Sequence, residues 1–163
     1  RELYDRRKNM AGVHEFDTYL QDANSWLNAI MEQLKTDDAR IARTALKAAI
    51  HALRDRIPPH SAVHLGDQLP TLVRGIYYEN WSMPAKPTKE RHLQPFLDHL
   101  ATEIPRSVSL DPKEAAYAVF EVMSNNMDHG EIAKIVRMLP LELRDLWPLL
   151  AQLDAAQDIG DSG

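Results

Sequence analysis

Seven histidines are the first residues in this chain that could do chemistry. His60 and His64 stand four apart, a spacing that suits two metal ligands on one helix face. Ser61, however, reads as the N-cap of the helix that follows, and that places His60 outside it. No HExxH string and no carboxylate-x-x-His pair appears. Surface or capping roles are therefore expected for the histidines, with no metal. No histidine stands in a strongly apolar surround as a proximal haem ligand, so no cofactor is expected. There is no G-x-S-x-G, no phosphate-cradling glycine loop and no cysteine nucleophile.

The second set is aromatic and basic. Arg74, Tyr78 and Trp81 stand at i, i+4 and i+7, which on one helix makes an Arg-Tyr-Trp stripe of the kind found at binding hot spots. Arg91 and His92 follow a short distance on. Just before the stripe, His64-Leu65-Gly66-Asp67-Gln68 is small and polar, and Gly66 permits close approach of another group. His64, Arg74, Tyr78, Trp81, Arg91 and His92 form the candidate binding set. The plainer alternative is that they pack a linker and join two halves of the fold. Arg74 in particular could serve the carbonyls at a helix end.

Helices must position these residues. The first is expected from about His14 to Lys35, with Phe16, Leu20, Ala23, Leu27, Ile30 and Leu34 on one face. The second runs from about Asp38 to Ile57 on a stripe of small residues, Ala42, Ala45 and Ala49, then Leu53 and Ile57. Pro58-Pro59 ends it. A third follows Ser61 and stops before Pro70, and a fourth reaches about Trp81. Residues 82–90, SMPAKPTKE, read as a linker. A fifth covers about Leu93–Ile104, with Pro95 in its first turn or at a kink. The sixth opens on Asp111-Pro112-Lys113-Glu114, a strong N-terminal signature, and ends near Asn126. The seventh runs from Asp128 to about Met138, and the eighth from Pro140 to about Leu153. Residues 1–13 are expected to be a flexible leader and 154–163 a disordered tail. No segment alternates like a strand. The expected fold is all-α, one domain of about eight helices.

The halves look alike. Shifting residues 45–77 by 70 sets them against 115–147 without a gap, and 15 of 16 apolar residues meet an apolar residue. Only Leu72 fails, against Glu142. Leu69-Pro70 and Leu139-Pro140 coincide, as do Arg74 and Arg144. Phe16 and Leu20 echo Phe96 and Leu100 across a longer connection. Two four-helix repeats, 14–81 and 91–150, are the simplest reading.

Composition limits the function. Without cysteine there are no disulfides or thiolate sites, which suits a cytoplasmic protein. No apolar run is long enough to span a membrane. The net charge of −5 falls wholly on residues 82–163, with 8 basic and 13 acidic groups. The only basic cluster is Arg6-Arg7-Lys8, so nucleic-acid binding is not expected.

HALRDRIP at 51–58, HLGDQLP at 64–70, RGIYYENW at 74–81, KERH at 89–92 with Phe96 beyond, and LPLELRDLWP at 139–148 occur in order. Together they resemble the bacterial family called domain of unknown function 2267, over about residues 14–150. The resemblance implies an all-helical fold grouped with globin-like topologies and no established activity. Function is expected to be that of a non-enzymatic interaction or scaffold module, binding a protein partner or itself. The alternative is an enzyme, or a small-molecule or metal-binding protein, with a site between the repeats.

Overall fold

A computed structural model describes residues 2–83 and 87–157, with side chains from His14 onward. Among the described residues there are nine helices and no strand. They are α1 (Glu2–Leu34), α2 (Ala39–Arg56), α3 (Pro59–Asp67), α4 (Thr71–Tyr78), α5 (Leu93–Ala101), α6 (Pro112–Asn126), α7 (His129–Met138), α8 (Leu141–Arg144) and α9 (Leu149–Gln157).

Aspartates set three of the helix starts. Asp38 accepts from the Arg40 N–H, Asp111 from Glu114 and Asp128 from Glu131, so each carboxylate satisfies a backbone donor that the first turn leaves open. The third helix departs from expectation. It starts at Pro59, with Pro58 as its cap, so Ser61 is not the N-cap and His60 lies inside the helix. Proline suits a first helical position because its missing N–H would be unpaired there anyway. The fourth helix stops at Tyr78, short of Trp81, where Asn80 adopts a left-handed conformation at φ 54. Pro148 splits the expected eighth helix into α8 and α9. Pro95 sits in the first turn of α5, which ends at Ala101 rather than near Ile104.

The ends of the chain also differ. Helix α1 begins at Glu2 rather than near His14, so the expected leader continues it as helical backbone. The expected tail begins inside α9, and 158–163 lie outside the described residues. The expected linker carries no helix in its described part, 84–86 lying outside it.

Helices α2 and α6 pack against each other at the centre, and α1 lies across both. Both helices bury small residues: Ala42, Ala45 and Ala49 on α2, Ala115, Ala116 and Ala118 on α6. Small residues let the two backbones approach. Larger side chains fill the flanks. Phe120 stacks on Trp147 at 4.3 Å between ring centres. Tyr77 is fully buried, and its hydroxyl donates to the Ala62 carbonyl.

Burial keeps the 70-residue register. Leu53, Ile57, Leu65, Leu69, Val73 and Tyr77 are buried, and so are Met123, Met127, Ile135, Leu139, Leu143 and Trp147. On α1 the register corrects an expectation. Trp26 and Ile30, not Phe16 and Leu20, stand 70 residues before Phe96 and Leu100, and all four of these are buried. Phe16 and Leu20 are 62% and 51% exposed, one end of α1 projecting past the core.

Candidate functional site

The contacts divide the candidate set into three places. The first is the corner between α3 and α4. Arg74 Nε donates to the Gly66 carbonyl at 2.8 Å, and its Nη2 donates to Asp67 and Leu69 at 2.9 and 3.0 Å. The Gly66 carbonyl also accepts from the Leu69 N–H, and the guanidinium adds the Asp67 and Leu69 carbonyls, tying the end of α3 to α4. The Tyr78 hydroxyl donates to the Val63 carbonyl at 3.3 Å. The group that approaches Gly66 closely is Tyr78 itself: a Cβ on Gly66 would collide with the phenol. Burial pushes the Tyr78 hydroxyl pKa up, with Asp67 adding to the effect.

Trp81 lies just beyond, with its ring 5.7 Å from that of Tyr78. The Arg54 guanidinium stands 5.7 Å from the Trp81 ring centre, within cation–π range. The Trp81 indole N–H is buried with no acceptor.

The second place is a groove of about 240 Å³ between α3 and α7. Leu65 and Ile135 lie within it, and His60, His64, Gln68, Glu131 and Lys134 edge it. Glu131 gathers the rim: Lys134 Nζ at 3.1 Å, His64 Nε2 at 3.1 Å and Gln68 Nε2 at 3.5 Å. The Lys134 bond, first, and then those from Gln68 and His64 hold the Glu131 carboxyl below its ordinary range.

The third is the start of α5. His92 Nδ1 is 3.0 Å from Glu142 of α8, and the Leu93 N–H donates to the same carboxylate at 2.9 Å. Arg91 is exposed beside it. Among the described residues no hydrogen bond, ion pair or ring contact joins Arg91 to Arg74, Tyr78 or Trp81.

A buried ionic network was not in the candidate set. His51, Arg54 and Asp55 are 2%, 3% and 6% exposed on α2. Arg54 donates to Asp55 at 2.9 Å and caps the end of α4 through the Tyr77 and Glu79 carbonyls at 2.6 and 2.8 Å. Asp55 also meets His99 at 3.2 Å, and His99 meets Glu90 at 3.1 Å. Thr88 N–H donates to the Asp55 carbonyl, and Arg56 donates to that of Glu90. The segment 88–90 is thus strapped onto α2 and α5. His51 places Nδ1 2.8 Å from both Glu103 oxygens and Nε2 2.6 Å from the Ile76 carbonyl. The ring thus bridges the Glu103 carboxylate and the end of α4.

One signal could have found this network. In the 70-residue register, His51, Arg54 and Asp55 stand against Glu121, Ser124 and Asn125. Their apolar neighbours match across the halves, so these charges are not part of a shared core pattern.

Among the described residues no group of three or more His, Asp or Glu side chains is placed to hold a metal. No described helix is long and apolar enough to cross a membrane. Fold and contacts together define an all-helical protein whose buried charges tie helix ends and a connecting strap to the core. The chain belongs to the DUF2267 family, described as an uncharacterized conserved protein, whose model matches residues 23–146. A search of curated proteins found no match.

Proposed function

We propose that this chain is a duplicated helical unit serving as a non-enzymatic protein-interaction module, with the outer face of α9 as its contact surface. The polarity of α9 carries this reading. Its inward residues, Ala151 and Ala155, are buried, while Leu149, Leu150 and Leu153 are 69%, 58% and 51% exposed. The three leucines stand at i, i+1 and i+4, on one side of the helix. A helix that only closes a core would bury its leucines and expose its alanines. The reverse holds the larger apolar surface toward another body.

Three leucines cannot supply the roughly 800 Å² per side of a standard stable interface. The partner is therefore read as another protein that docks an amphipathic helix transiently, rather than as a second copy. The lack of cysteine is compatible with a cytoplasmic place of work. Duplication is supported by the 70-residue register of burial and by the paired roles of Arg74 and Arg144. In this reading Arg74, Tyr78 and Trp81 hold the fold, and His64, Arg91 and His92 lie outside the contact face.

The test is Leu149→Glu combined with Leu153→Glu. The variant should lose the partner that the wild-type chain recovers from cells, keep its circular dichroism and stay monomeric by light scattering. A partner retained by the variant contradicts the reading, as does a wild-type dimer that the variant dissolves.

A further inference from the structure

A second cleft, of about 460 Å³, opens between α2, the end of α4 and the chain beyond α5. That volume lies within the range in which proteins hold small organic molecules, roughly 300–1,000 Å³. Its charged walls come from three places: Arg43 and Lys47 on α2, Glu79 after α4, and Glu103 after α5. Ile76 and Pro105 supply its apolar surface.

Three of these groups have partners. Lys47 Nζ pairs with Glu79 at 3.1 Å. Arg43, Lys47 and His51 follow at steps of four on α2, so they share a face. His51 is buried one turn past Lys47, and from there it grips the Glu103 carboxylate from behind. Among the described residues Arg43 has no carboxylate partner.

The 70-residue register shows that the shared core does not demand this arrangement. Arg43, Lys47, Glu79 and Glu103 stand against Lys113, Tyr117, Leu149 and Gln33, and His51 against Glu121. Only the charge of Arg43 is kept, as Lys113; Lys47, Glu79, Glu103 and His51 have no counterpart of like charge, whereas core positions agree between the halves.

We propose that this cleft binds a small zwitterion, with its carboxylate on Arg43 and Lys47, its ammonium on Glu79 and Glu103, and its apolar middle against Ile76 and Pro105. The mixed wall selects for this class. A phosphate or dicarboxylate would meet two fixed carboxylates, and a diamine would meet two cations. Like charges brought together disfavour each, whereas a molecule carrying both signs opposes neither.

The experiment titrates the isotope-labelled full chain with ε-aminocaproate, and separately with caproate, hexylamine and inorganic phosphate, at fixed ionic strength. The zwitterion should shift the amide signals of Arg43, Lys47, Glu79 and Glu103 saturably. The three comparators should bind at least about tenfold more weakly, and Arg43→Gln or Glu79→Gln should each weaken the zwitterion about tenfold. Both substituted residues are solvent-exposed, and an unchanged circular dichroism spectrum checks the fold. No saturable shift overturns the proposal. So does caproate or phosphate binding as tightly as the zwitterion, which would mark a plain anion site, or full affinity in Arg43→Gln.

Discussion

Arg74 and Arg144 make the same connection 70 residues apart. Arg74 donates to the carbonyls of Asp67 and Leu69, and Arg144 to those of Arg137 and Leu139, at 2.8–3.0 Å. Each guanidinium reaches back across a proline, Pro70 or Pro140, whose backbone angles nearly coincide at φ −55, ψ 149 and φ −55, ψ 151. The proline turns the chain, and the arginine ties the new helix to the end of the old one. Arg74→Ala and Arg144→Ala should each cost about 1–3 kcal/mol in urea melts, because each removes the hydrogen bonds that tie two carbonyls to the next helix. Lysine should restore little at either position, since a point charge cannot span two carbonyls. Full recovery by lysine would mean that charge, not geometry, is at work.

Leu53 and Met123 occupy matched core sites on α2 and α6, both at 0% exposure. Replacing either with alanine should destabilise by about 2–5 kcal/mol, the loss of transfer energy plus a cavity. A change below about 0.5 kcal/mol at either site would contradict the packing described here.

Gly66 admits the Tyr78 ring, and Tyr77 lies close on the same side. Gly66→Ala should destabilise by about 1–3 kcal/mol through overpacking, despite the better helix propensity of alanine. Combining it with Tyr78→Ala should recover part of that loss, since the second change removes the colliding ring. Simple additivity in a double-mutant cycle would show that the two residues do not meet.

Glu142 accepts first from His92 and then from the Leu93 N–H, and both hold its carboxyl below the ordinary glutamate range. A depressed carboxyl favours the folded state above its unfolded pKa, and that contribution is lost as pH falls through the folded value. The pair is exposed, so the stability effect is small. Carboxyl NMR titration should find Glu142 titrating low, and His92→Ala should move it up toward the ordinary range. An unchanged titration would remove the contact.

Much of the fold was legible because periodicity and caps are local. Asp111-Pro112 and the small stripe of α2 declared themselves in the sequence. The apolar stripe of α1 misled because Phe16 and Leu20 continue a helical pattern past the point where any neighbour covers them. Periodicity reports a face, not what lies against it. The Arg-Tyr-Trp stripe assumed one helix through Trp81, but α4 ends at Tyr78 and Trp81 folds toward Arg54. The ionic network joins residues such as His51 and Glu103 across 52 positions, a pairing that no local pattern encodes.

The contact face of α9 is tested most directly by photocrosslinking in living cells. A photoreactive phenylalanine analogue would replace Leu149 or Leu153, with exposed Lys113 on α6 as the control position. The account predicts one discrete adduct with another protein from both leucine positions and none from Lys113. Adducts formed equally at Lys113, adducts only within the chain or with its own copies, or no adduct at either leucine would contradict it.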